Sequence, residues 1–175
     1  MYFANFPLIP YDSVGDGKFK LVTNLMKRVA LRSKVRANAL LYDTYDVKEG
    51  ETPEMLADKL YGDPNLHWII MYVNGITDRY HQWPLSTPQF LAFVNDKYSN
   101  PDGTHHYEIT QTSGDTKVTI DIGSDNTSHG DATLVTNYEY EVSRQDTLRK
   151  IRLLDSAYVD QFVEEFENLI GASVL

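Results

Sequence analysis

The stretch from Tyr45 to Gly75 carries more helix punctuation than any other part of the chain, and it dictates a compact local unit. Tyr45 and Val47 alternate with polar neighbours, as in a half-buried strand, and Gly50 breaks that strand. Thr52 has the hydroxyl that caps a helix N-terminus, and Pro53 follows at the first helical position, where a missing N–H costs nothing. Leu56, Ala57, Leu60 and Tyr61 then fall on one helical face. Gly62 ends that helix, and Asp63-Pro64 opens another, whose Leu66, Ile69, Ile70 and Val73 recur at i, i+3, i+4 and i+7. Asn74-Gly75 stops it. The spacing predicts a strand, a turn and two capped helices in close succession.

The remainder reads as α+β: an N-terminal extended arm and helix, a small antiparallel β section and a C-terminal amphipathic helix around the central unit. Tyr2, Phe3, Phe6, Pro7, Leu8, Ile9, Pro10 and Tyr11 form an aromatic, proline-spaced arm. Its prolines bar a helix interior. An arm this apolar packs on its own domain or lies in a partner's groove, and the partner is slightly favoured. Val14-Gly15-Asp16-Gly17 is a turn, and Leu21, Val22, Leu25, Met26 and Val29 follow helical spacing. Ser86-Thr87-Pro88-Gln89 starts a further helix carrying Phe90, Leu91, Phe93, Val94 and Tyr98. Alternation then predicts strands around Tyr107 and Ile109, Val118 to Ile122, Tyr138 to Val142, and Ile151 with Leu153. A last helix is predicted with Val159, Phe162, Val163, Phe166, Leu169 and Ile170 on one face and Asp160, Glu164, Glu165 and Glu167 largely away from it.

Charge divides the molecule. The net charge is −9, which argues against wholesale nucleic-acid binding. Yet Lys18 to Arg36 holds seven basic residues and no acidic one, leaving 9 basic against 25 acidic residues, or −16, elsewhere. Such a split suits a subunit that meets acidic neighbours with one patch and basic neighbours with another; a solvated basic helix face is the plain alternative. There are no cysteines, so disulfides and thiolate metal sites are excluded. No apolar run reaches the roughly 20 residues of a membrane span, and no secretory leader pattern opens the chain. The expectation is a protein made in cytosol or assembled there into something larger.

Little in the chain points to chemistry. His105 and His106 are neighbours, so on a strand they point to opposite faces and do not easily chelate one ion. His67 and His81 lack ligand partners at clear spacing. The loop Asp121 to Asp131, with Asp125, Asn126 and His129, faintly resembles an oxygen-rich calcium loop but lacks the EF-hand register. No nucleophile elbow, phosphate loop or zinc-protease motif occurs. Glu164-Glu165 reads as a solvated acidic face. No catalytic residue, cofactor or metal is expected, and the chain is not expected to be an enzyme.

The order Tyr45, Val47, Gly50-Glu51-Thr52, Leu56-Ala57, Leu60-Tyr61-Gly62 and Asn74 resembles the LysM module, a βααβ unit known for binding N-acetylglucosamine polymers. That resemblance implies a glycan-binding loop at Glu49, Gly50, Glu51 and Thr52. In place of the module's usual Gly-x-x-Leu-x-Ile-Pro closing pattern the chain has Ile76 to Leu85. A wider resemblance is carried by three more segments: Asn65 to Ile76 leading to Gln82-Trp83-Pro84-Leu85-Ser86, then His105-His106-Tyr107-Glu108, then Leu148 to Asp155 with the terminal helix. In this order they resemble the baseplate wedge protein 53 family of contractile-tailed bacteriophages, structural subunits with a LysM-like domain.

This wider resemblance implies a virion component of the tail baseplate, made in host cytoplasm, that joins other wedge subunits as a protein–protein adaptor and has neither nucleic acid nor membrane as a partner. Its neighbours would include the small wedge subunit on which sheath assembly starts, with several copies in a sixfold baseplate. The alternative is a LysM-type peptidoglycan-binding protein. The expected organisation is arm and basic helix over 1–41, LysM-like module over 42–85, linking helix over 86–99, and β section with terminal helix over 100–175. Expected partner contacts are Tyr2, Phe3 and Phe6 of the arm, Lys27, Arg28 and Arg32 of the basic stretch, and Arg149 and Arg152 of the last strand. Trp68, Arg79 and Trp83 are anchors for a neighbour or, for the aromatics, core filling or faces that stack on a glycan.

Overall fold

The computed structural model describes residues 2–30, 38–111 and 118–172; Arg32 and the turn expected at residues 113–115 lie outside them. In chain order, a 3₁₀ turn at Tyr2–Asn5 leads into β1 (Leu8–Tyr11) and β2 (Lys20–Thr23), then a 3₁₀ turn at Ala39–Leu41 into β3 (Tyr42–Asp46). The helices α1 (Pro53–Tyr61), α2 (His67–Asn74), α3 (Arg79–Gln82) and α4 (Thr87–Lys97) follow. Then come β4 (Thr104–Thr110), β5 (Thr119–Asp121), β6 (Thr133–Thr136), α5 (Asn137–Arg149), β7 (Lys150–Leu154) and α6 (Val159–Ala172). The fold is α+β, with small sheets and a C-terminal helix.

Two compact units divide the chain. The first is assembled from Met1–Asp46, Glu51–Gln82 and Ile151–Leu175, the second from Val47–Gly50 and Trp83–Lys150.

In the first unit, the capping chemistry is as the sequence demands. Thr52 Oγ1 accepts the Met55 N–H at 3.3 Å, and Pro53 sits at the first turn. Gly62 closes α1 at φ +73°, a left-handed conformation that a side chain would strain. Asp63 caps the next turn by accepting the Asn65 N–H at 2.8 Å. Strand β3 pairs with β7, not with a strand directly after α2. The bonds flanking this pair, Val47 N–H to Arg149 O (2.9 Å) and Asp155 N–H to Leu41 O (3.1 Å), run in opposite senses along the chain, so the two strands are antiparallel. Strand, helix, helix and closing strand thus follow one another with residues 83–150 inserted before the last.

Asn74 locks the closing strand in place. Its side chain accepts the Arg152 N–H at 2.8 Å and donates to the Arg152 carbonyl at 2.7 Å, while also donating to Ile70 O at 2.8 Å. Tyr61 donates its hydroxyl to Leu154 O at 3.1 Å, and burial pushes that phenol up to about 12. The core under this sheet joins Trp68, Ile69 and Val73 of α2 to Leu154, Val159, Phe166 and Ile170 of the C-terminal segment. Phe6 is buried among them, and Tyr2 stacks on Phe166 with ring centres 5.4 Å apart.

Three expectations are corrected. The helical spacing from Leu21 to Val29 does not produce a helix over the described residues: Lys20–Thr23 is a strand paired with β1 in the register Leu8↔Thr23, Ile9↔Val22, Pro10↔Leu21, Tyr11↔Lys20. β-Branched Val22 and Thr23 fit a pleated strand, and Asp12 nucleates the turn by accepting the Gly15 and Gly17 N–H groups at 2.7 and 2.9 Å. The strand expected at Tyr138, Tyr140 and Val142 is instead helix α5, started by a Thr136–Glu139 capping box. Its inward residues are Glu141 and Gln145, while Tyr138 and Tyr140 remain exposed. Lastly, His105 and His106 do not diverge. A register shift between Thr104 and His106 makes His105 a bulge residue, and the two Nδ1 atoms lie 2.8 Å apart.

The second unit is built on a three-stranded sheet of order β5-β4-β6. Phe90 and Val94 of α4 are buried, and Phe90 meets Tyr138 at 5.6 Å. Glu141 has no exposed surface and is held by Lys97 at 2.6 Å and the Tyr98 hydroxyl at 2.9 Å. His105 stacks on Tyr140 at 3.8 Å, and His106 faces Glu108 at 3.1 Å.

Candidate interaction surface

Residues expected to meet partners fall into three groups in the structure. Phe6 and Trp68 are buried in the first unit's own core and half-buried Tyr2 packs against it, with Trp68 centred 4.6 Å from Phe166 and 5.3 Å from Tyr2. Trp83 is buried as well. Phe6, Trp68 and Trp83 are buried within this chain, and the arm's Tyr2 and Phe6 pack on its own domain. A second group is engaged in local ion pairs or ring contacts. Arg79 bonds Glu54 at 2.6 Å, Arg149 lies 3.5 Å from Glu49, and the Arg152 guanidinium covers the Tyr42 ring at 5.6 Å. Lys27 is half-buried. The third group, Phe3 and Arg28, is exposed.

The loop expected to hold a glycan is likewise occupied by the chain's own groups. Glu49 accepts the Thr87 N–H at 2.5 Å and takes Arg149; the Thr87 N–H above all holds its carboxyl below the ordinary value. Glu51 accepts the Tyr45 hydroxyl at 2.8 Å and sits 3.6 Å from Lys59. Gly50 supplies the left-handed turn at φ +74°, and Thr52 serves as a helix cap. In the loop that faintly resembles a calcium site, Asp121 and Asp125 accept the N–H groups of Gly123 and Thr127 at 2.7 and 2.9 Å. Among the described residues no group of three or more His, Asp or Glu is placed to hold a metal.

The surface with most to offer a partner is one the sequence reading underrated, the β1–β2 hairpin. Directly opposed residues share a face, so Leu8, Pro10, Leu21 and Thr23 line one side, and Ile9, Tyr11, Lys20 and Val22 the other. Both sides are apolar and open: Leu8 is 61% and Leu21 72% exposed, Tyr11 55%. Phe19 and, past β2, Leu25 and Met26 extend the patch. A lone two-stranded ribbon is marginal in water, and a contiguous exposed apolar patch marks an interaction site. Lys20, Lys27 and Arg28 give it positive charge along and after β2, while Lys18 lies 3.4 Å from Asp16 of the turn. The signal for it was the Asp12 to Gly17 turn between two β-compatible runs.

No helix among the described residues is long and apolar enough to cross a membrane. Comparison with known proteins supplies the biological frame. The family described as base plate wedge protein 53 matches over residues 1–118. The baseplate wedge protein gp53 of Enterobacteria phage T4 is 23% identical over 184 residues, spanning 97% of this chain and 88% of that protein. The match takes in the hairpin, β3, helices α1 to α4 and β4. This chain belongs to the base plate wedge protein 53 family.

Proposed function

We propose that this chain is a structural adaptor, joining components of a phage baseplate wedge by binding alone. The observation that carries the reading is the β1–β2 hairpin, a ribbon with apolar side chains open on both faces that leads into the basic stretch after β2. Phe3, 59% exposed, adds an aromatic contact near its base, and Arg28 adds charge. Trp68 and the rest of the core make a preformed platform, so little ordering cost falls on association. Arg79, Arg149 and Arg152 serve as rim contacts, and Lys27 and Arg32 as part of the basic stretch. Membership of the wedge family supports association with other baseplate components; we take its neighbours to include the small wedge subunit on which sheath assembly starts, with several copies in a sixfold baseplate. Many modest contacts then act together.

The order β3, α1, α2, β7 supports a LysM-like scaffold, and Asn74 is its fastener. Glycan binding is the weaker reading, because Glu49, Glu51 and Thr52 are already committed to Thr87, Tyr45 and the Met55 N–H. Mass spectrometry of purified particles tests the adaptor reading: the chain should appear in stoichiometric amount with the other wedge subunits. Salt-resistant retention on purified cell wall, lost on changing Gly50 or Thr52, together with absence from particles, would reverse the choice.

A further inference from the structure

The two edges of the β1–β2 hairpin are not equivalent. The Asn24 N–H donates to Pro7 O at 2.8 Å, which sets the phase of the ladder. Hydrogen-bonded pairs alternate along an antiparallel ribbon, so Ile9↔Val22 and Tyr11↔Lys20 bond across it. Leu8, Pro10, Leu21 and Thr23 therefore turn their backbone groups outward. On β1 the outer row is interrupted, because Pro10 has no N–H. On β2 it is not. There the outer row offers the N–H and C=O of Leu21 and the N–H of Thr23, while the Thr23 carbonyl accepts the Leu25 N–H at 3.0 Å. Among the described residues none of those three groups meets an acceptor or donor. An open row of this kind is a template for another strand.

Its surroundings specify the occupant. Lys18, which lies 3.4 Å from Asp16 of the turn but keeps its side chain in solvent, and Lys20 flank the edge; Lys27 and Arg28 follow it, and no acidic residue occurs from Lys18 to Arg36. Leu21 and Phe19 stand open beside it at 72% and 67% exposure. We infer that the outer edge of β2 takes an extended acidic segment of another wedge component as a third strand, with its apolar residues beside Leu21 and its carboxylates beside Lys18 and Lys20. This rests on the adaptor reading and names the chemistry of its partner. Main-chain bonds give the affinity, and the lysines select against basic or neutral strands.

Amide exchange of the full chain, free and within assembled wedges, tests it. Exchange at Leu21 and Thr23 should slow at least tenfold on assembly, with Leu8 unchanged. An eight-residue peptide alternating glutamate and valine should reproduce that protection in the free chain, and one alternating lysine and valine should not. Leu21→Pro removes the outward donor without touching a hairpin bond, and should lower incorporation at least tenfold where Leu21→Val does not. If Leu21→Pro loses its native circular dichroism, Lys18→Glu with Lys20→Glu replaces it, with the same loss expected. Unchanged exchange at Leu21 and Thr23 in wedges that contain the chain overturns edge pairing and leaves the adaptor reading standing. Absence of the chain from wedges overturns both. Slow exchange that appears in the free chain only as its concentration rises identifies a second copy as the occupant, and overturns the inference.

Discussion

Glu141 shows how much a single side chain is asked to do. It points into the second unit with no exposed surface, and among the described residues its Oε2 has no hydrogen bond, Arg144 lying 4.0 Å away. Burial pushes its carboxyl up, but the bonds from Lys97 and Tyr98 outweigh that and hold it below the ordinary value of 4.5. A depressed folded value means that the ionised form stabilises the fold. The contribution is complete above the unfolded value and is lost as pH falls through the folded one. Glu141→Gln should therefore cost about 2 kcal/mol near neutrality, the range for hydrogen bonds to a charged group. It should also flatten the loss of stability below pH 4.5. Urea titrations of both proteins from pH 3 to 7 check this; parallel curves across that range would remove Glu141 from the account. Lys97 keeps 39% of its side chain in solvent, which is why the larger penalty for stranding a buried charge is not expected.

At the scale of elements, capping fixes α1 and one side chain fastens β7. Thr52→Ala should cost about 1 kcal/mol in thermal unfolding. Asn74→Ala removes both bonds to the Arg152 backbone inside a half-buried site and should cost about 2–3 kcal/mol, more than the cap, since the strand loses a donor and an acceptor together. Equal losses for the two variants would mean that pairing with β3 and packing, not Asn74, hold β7. These elements also show what could be read before the structure. Thr52, Gly62 and Asp63 act within four residues of themselves, so local spacing was enough to place α1 and the turn after it. For β2, Leu21, Val22, Leu25, Met26 and Val29 satisfy a helical period by coincidence, and tertiary pairing with β1 decides. For α5, the T-x-x-E signal at Thr136–Glu139 was present, but alternating tyrosines imitated a strand. The candidate surface was legible as basic and aromatic, yet which aromatics face inward depends on α6, over 90 residues from Trp68. The partner of β3 was hidden for the same reason, since β7 lies about 100 residues further along.

The whole molecule combines an uneven charge with a discontinuous core, and each has a measurable consequence. With seven basic residues between Lys18 and Arg36 against −16 elsewhere, association with wedge components should weaken as salt rises from 50 to 500 mM, chiefly through slower encounter. A salt-independent on-rate would show that apolar contact alone drives docking. The core makes a stronger demand. The family match ends at residue 118, but Leu154, Val159, Phe166 and Ile170, which close the first unit, all lie beyond it. These four are half of the buried core residues, Phe6, Trp68, Ile69 and Val73 being the other half. Truncating one large buried side chain costs about 2–5 kcal/mol. Several lost together exceed the roughly 5–15 kcal/mol that holds a domain folded. A chain stopped after Lys150 should therefore lose the first unit outright: Trp68 emission shifts to the red, near-ultraviolet dichroism falls, and α1 and α2 melt with it. Ile170→Ala, in contrast, should stay folded with a lowered transition. If the truncated chain kept native Trp68 emission, the first unit would have to close without β7 and α6, and the three-segment core would be wrong.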